Sequence, residues 1–225
     1  MSRSFGLVDT KLEEAEFFLA EFQKCGWDFR TAQFHFNAFV SSSRSVTFAL
    51  QASMRGLDGF ETWYERWQTK LRCSRLARFF HDCRTDIQHI GRNYVNGGVS
   101  GPNGPILLLS VGSFENQSGI PEPNAFIATE RYFSIVCAVV RDAYVEFGHL
   151  IDPDVFFSFE GMKRNGLTLE DLEEEAGIPR GWTELPGDHT FNDADRLTLI
   201  RRSAAISNCR SILAKFPEPS VEIWT

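Results

Sequence analysis

Arg84 and His89 stand four residues apart in Phe79-Phe80-His81-Asp82-Cys83-Arg84-Thr85-Asp86-Ile87-Gln88-His89. A guanidinium offers fixed, paired donors to a phosphate. An imidazole titrates near neutral pH and can move a proton. Together they could hold an anion and move a proton. The spacing alone carries little weight, because composition predicts about one such pair by chance. Arg30 to His35 repeats the gap, and Arg75 to His81 is one residue longer.

A helix must present these groups, and Ser74 can cap one that carries Leu76, Phe79, Phe80, Cys83, Ile87 and Ile90 on its apolar side. With about 100° per residue, His89 projects about 130° from that side and Arg84 about 90° the other way. Both therefore lie off the core. On the residues alone a solvated helix end is the simpler reading of His89, and an edge arginine paired with Asp82 or Asp86 that of Arg84.

Charge is concentrated in the same region. The 225-residue chain carries a net −7. Arg66 to Arg92 holds seven basic and two acidic residues, a local +5 that leaves −12 on the rest. The whole surface does not suit a general nucleic-acid binder, whereas this stretch suits phosphates or is a solvated helix face. Trp63, Tyr64 and Trp67 could stack on bases, but their helical spacing favours the core.

Other helices follow from caps and periodicity. Thr10-Lys11-Leu12-Glu13 has the capping-box form, with Leu12, Ala15, Leu19 and Phe22 behind it and Cys25-Gly26 as a stop. Asp28 can cap a second helix bearing Phe29, Phe36, Phe39, Val40, Val46 and Leu50, and Phe60 to Leu71 forms a third. Asn96-Gly97-Gly98 and Gly101 to Pro105 predict turns, and Ile106 to Val111 a short strand, half of a small hairpin. A long helix is expected from about Thr129 to Ile151, a short acidic one from Thr168 to near Gly177, and a last one from an Asp193 cap to about Lys215. The acidic segment Leu167 to Asp188 reads as a solvated face or a cover for a basic partner. Leu169 to Gly181 is faintly like a helix-turn-helix start, but its negative charge argues against DNA.

The five cysteines are scattered, with none at C-x-x-C spacing, so buried free thiols in a reducing cytoplasm are expected and a zinc site is not. No apolar run reaches the ~20 residues that span a bilayer, and Met1 to Asp9 lacks a signal-peptide pattern, so neither membrane insertion nor export is expected.

Phe29-Arg30-x-x-x-Phe34-His35-Phe36-Asn37-Ala38-Phe39-Val40, continuing to Arg44-Ser45-Val46-Thr47-Phe48, resembles bacterial proteins of the HEPN superfamily. So does Phe60-Glu61-x-Trp63-Tyr64 leading into Phe79-Phe80-x-x-x-Arg84-x-x-Ile87-x-His89. The likeness covers about residues 10–95 and, loosely, the long helix after Thr129. It implies an all-α HEPN-like antiparallel bundle over residues 1–152, with an irregular insertion at about 96–125. Residues 153–225 would be a C-terminal helical extension with an acidic segment and a terminal helix.

By that resemblance the chain is a metal-independent endoribonuclease, a homodimer whose motifs face each other, in a toxin–antitoxin or defence setting. His89 would move the proton as a ribose 2′-hydroxyl attacks the phosphate, and Arg84 would hold that phosphate. Thr85, Asp86 and His81 would support them, and Arg75, Arg78 and Arg92 would contact RNA. No cofactor or metal is implied, and the partners would be RNA, a second copy and a protein antitoxin. Many relatives carry Asn, Asp or His directly after the arginine, where this chain has Thr85. The alternative is therefore an inactive module that binds RNA, a nucleotide or a protein.

Overall fold

A computed structural model describes residues 5–110, 119–183, 192–203, 209–220 and 224. It is mostly helical, with one small antiparallel hairpin. The chain divides into two compact units. One comprises residues 7–140 with 209–225, and the other residues 1–6 with 141–208.

In the larger unit, helix α1 spans Gly6–Gln23 and α2 spans Phe29–Met54. The expected Thr10 cap is a correction: Thr10 lies inside α1, which starts at Gly6. Apolar Val8 extends the buried stripe of Leu12, Ala15, Leu19 and Phe22 by one turn, and that burial outweighs the local capping signal. Asp28 does cap α2, accepting from the Thr31 amide (3.1 Å) and hydroxyl (2.6 Å). Helix α3 is Phe60–Cys73 and α4 is Arg75–Ile90. Ser74 alone joins them. Its amide closes α3 onto the Lys70 carbonyl, and its hydroxyl accepts from the Ala77 amide to open α4.

Aromatic rings fill the centre of this unit. Phe36 and Phe39 of α2, Phe80 of α4 and Phe133 of α5 (Ala125–Ile151) are almost wholly inaccessible. The Phe39 ring meets Phe80 and Phe133 edge-on at 6.2 and 6.1 Å. Each such pair adds about 0.5–1.5 kcal/mol beyond the area it buries. Trp63, Tyr64 and Trp67 are core residues as well, each at most 5% exposed, so they are no base-stacking platform.

Strands β1 (Val95–Gly101) and β2 (Gly104–Leu109) pair antiparallel, from Val95 opposite Leu109 to Gly101 opposite Gly104, with an irregularity at Asn96. Asn96-Gly97-Gly98 is thus strand and not turn. A Cβ on Gly98 would come within 2.9 Å of the Ile106 carbonyl oxygen and 3.1 Å of the Trp27 ring. Glycine is there to admit that close approach. Val111, expected in the strand, lies outside the described residues.

Helix α5 begins four residues before the expected Thr129, because Asn124 caps it by accepting from the Phe126 and Ile127 amides. Helix α10 (Cys209–Lys215) also belongs to this unit. The Cys209 thiol donates to Asp9 (2.6 Å), and the Phe216 ring meets Phe133 edge-on at 4.7 Å.

The smaller unit holds α6 (Pro153–Phe156), α7 (Phe159–Asn165), α8 (Leu169–Glu175) and α9 (Asp193–Ser203). Its core is Phe156, Phe157, Leu169, Leu172, Leu197 and Ile200. The cap of α9 is Asn192, not Asp193, since its side-chain oxygen accepts from the Ala194 and Asp195 amides. Residues 204–208, which would join α9 to α10 in the expected last helix, lie outside the described residues.

Part of the acidic segment's charge is paired within the unit, while Glu174 stays exposed. Buried Glu173 accepts from the Thr183 amide (2.9 Å) and hydroxyl and from the Gly181 amide. Arg196 reaches Glu170 at 2.8 Å and Glu173 at 3.3 Å, and Arg180 reaches Asp171 at 2.6 Å. Glu184 and Asp188, its last two acids, lie outside the described residues.

The thiols are all free. Cys83, Cys137 and Cys209 are buried as expected, but Cys25 is only partly buried and Cys73, in the last turn of α3, is exposed. Among the described residues, no helix is long and apolar enough to cross a membrane.

Candidate functional site

The corner at Ser74 gathers the basic stretch. Lys70 and Arg72 close α3, and Arg75 and Arg78 open α4; with Arg66 they form an exposed set of five cations. Lys70 lies 4.5 Å over the Trp67 ring, and one Arg72 nitrogen contacts the Gln68 side-chain oxygen at 3.4 Å. Cations at the end of α3 also complement its dipole.

Arg84 and His89 lie further along α4. Arg84 is half-buried and His89 is exposed in the last turn. Five helical residues separate them by about 7.5 Å along the axis and about 140° around it. A single copy does not turn both side chains to one side of α4. Among the described residues neither side chain has a hydrogen-bond or ion-pair partner.

The supporting residues are engaged locally. The Thr85 hydroxyl donates to the His81 carbonyl (3.1 Å), the ordinary bond of a helical threonine to the preceding turn. Asp86 accepts from Arg92 at 2.5 Å and from the Tyr94 hydroxyl at 2.8 Å through one oxygen. The Gly91 and Arg92 amides both return to the Asp86 carbonyl, with Gly91 at φ 63°. Arg92, expected on RNA, thus ties the end of α4 to the start of β1. Burial pushes the Tyr94 phenol up, with Cys83 and Asp86 adding to the shift, so it stays protonated and donates.

Four helices surround a cleft of about 280 Å³ beside the corner. Arg44 and Thr47 come from α2, Gln68 and Arg72 from α3, Arg78 and His81 from α4, and Tyr132 and Val136 from α5. Phe80 and Tyr132 stack there with centroids 4.2 Å apart and planes 3° from parallel. Arg84 and His89 do not line this cleft, whereas Arg78 and His81 do. Sequence reasoning missed Arg44, Arg72 and Tyr132, since no local spacing links residues on three different helices.

Among the described residues no group of three or more His, Cys, Asp or Glu side chains is placed to hold a metal ion. No curated protein and no solved structure matches the chain. Residues 5–97, which span α1 to α4 and the first residues of β1, match the sequence family described as bacteriophage lambda protein ea47.

Proposed function

We propose that this chain is a cytoplasmic RNA-binding protein with a HEPN-like helical module, and that the α3–α4 corner holds the RNA backbone. The observation that carries this reading is local charge: five exposed cations around Ser74 in a chain of net −7. Phosphates reward such a cluster through counterion release, so affinity must fall steeply with salt.

A second reading adds cleavage, because Arg84 and His89 have no partner of their own within the described residues. In that reading two copies meet along α4. The histidine moves the proton of an attacking 2′-hydroxyl, and the arginine stabilises charge on the phosphate. A second copy would supply the convergence that the separation around one helix denies a single chain. A protein antitoxin is the partner that fits a toxin–antitoxin setting.

The test is incubation of the full chain with RNA in EDTA. Cleavage leaving 2′,3′-cyclic phosphate ends, abolished by Arg84→Ala and by His89→Ala, supports the nuclease. Cleavage that survives His89→Ala rules out the assigned pair. RNA bound but uncut leaves the binding module.

A further inference from the structure

We infer that the cleft between α2, α3, α4 and α5 is a binding site for a small ring-bearing phosphate monoester of mononucleotide size. It is a separate site from Arg84 and His89.

The argument starts from charge. Every charged or titratable side chain that lines the cleft, apart from its tyrosines, is basic: Arg44, Arg72, Arg78 and His81, with no carboxylate among them. Three arginines lining one cavity concentrate positive charge that a bound anion would offset. Guanidinium is also the side chain whose fixed fork matches phosphate oxygens.

Two of the arginines are already positioned. Arg44 donates to the Thr47 hydroxyl at 3.0 Å, and its guanidinium carbon stands 4.4 Å over the Phe48 ring. Arg72 leans on Gln68, which also lines the cleft. Held side chains lose less freedom when a ligand arrives.

The interior sets the rest of the ligand. Phe80, Tyr132, Val136 and Val139 make it apolar, which suits a flat ring and not a fully hydrated ion. Burial pushes the Tyr132 phenol up to about 12, so it remains a donor throughout the neutral range. The volume is near the lower end of the ~300–1,000 Å³ of small-molecule clefts, so one nucleotide unit fits better than a folded strand.

The experiment is titration calorimetry of the full chain with AMP at low salt, beside adenosine and inorganic phosphate. AMP is expected to bind one to one and about ten-fold or more tighter than either fragment, since both halves of the cleft are used. Arg44→Gln and Arg72→Gln are each expected to weaken it about ten-fold, with far-UV circular dichroism unchanged. Arg44→Lys, which keeps the charge and loses the fork, should fall between. His89→Ala should bind AMP as the wild type does, which keeps this test separate from the nuclease reading. A 5′-phosphorylated tetraribonucleotide distinguishes the source: tighter binding than AMP assigns the site to a strand end, equal or weaker binding to a free nucleotide. Absence of AMP binding, or binding unchanged in the Arg44→Gln/Arg72→Gln double variant, overturns the inference.

Discussion

Asp86 and Arg92 meet at 2.5 Å across the end of α4, and the Tyr94 hydroxyl shares the same carboxylate oxygen at 2.8 Å. Two residues assigned from sequence to catalysis support and RNA contact thus hold each other. Charge-assisted bonds of this kind contribute about 1.5–3 kcal/mol when buried, and less here because both side chains are partly exposed. Asp86→Ala is therefore expected to lower stability by about 1–2 kcal/mol in urea denaturation. A neutral result would mean that the latch does not hold the turn between α4 and β1.

Phe80 tests the aromatic centre. Its ring is 1% exposed, stacks on Tyr132 and meets Phe39 and Phe79 edge-on. Phe80→Ala removes those contacts and leaves a cavity, so a loss of about 3–5 kcal/mol is expected. Phe80→Leu should cost much less. Equal losses would show that the ring contacts matter here and the filled volume does not.

The smaller unit should be acid-sensitive. The Thr168 amide, the Arg180 guanidinium and the Thr168 hydroxyl hold Asp171 well below the usual carboxylate range, at about 2. Glu170, paired with Arg196, is lowered too. Burial opposes ionisation of Glu173, but bonds from Thr183, Gly181 and Arg196 outweigh it, so its carboxyl is also lowered. A depressed folded value means that the stabilisation is complete above about pH 4–5, the unfolded range, and is lost as pH falls toward 2. Trp182 reports on the neighbouring turn, and its fluorescence should change over that window. Glu173→Gln should shift the transition, and an unshifted curve would remove Glu173 from the account.

Much of the fold could be read from the sequence, because its signals are local. Ser74 and Asp28 announce helix starts through their own hydroxyl and carboxylate, and Phe36, Phe39, Leu76 and Phe80 recur at helical spacing. Thr10 misled because a capping pattern can sit within a helix when the preceding residues also bury. Asn96-Gly97-Gly98 misled because glycine serves turns and crowded strands alike, and the close approach of the Ile106 carbonyl and the Trp27 ring, which distinguishes them, is not visible in local sequence. The cleft could be read only in part: Arg78 and His81 are among the expected site residues, whereas Arg44, Arg72 and Tyr132 join them through packing. Nor could the sequence pair Glu170 and Glu173 with Arg196, since both lie more than twenty residues from it.

The most direct measurement is fluorescence anisotropy of a labelled single-stranded RNA across a salt series, wild type beside the Lys70→Gln/Arg75→Gln/Arg78→Gln variant. The account predicts salt-dependent binding by the wild type. The variant should bind at least about ten-fold more weakly, with a log–log salt slope shallower by about 2, three contacts at about 0.7 each. Wild-type protein that binds no RNA, or a variant that binds as tightly with the same slope, would contradict it.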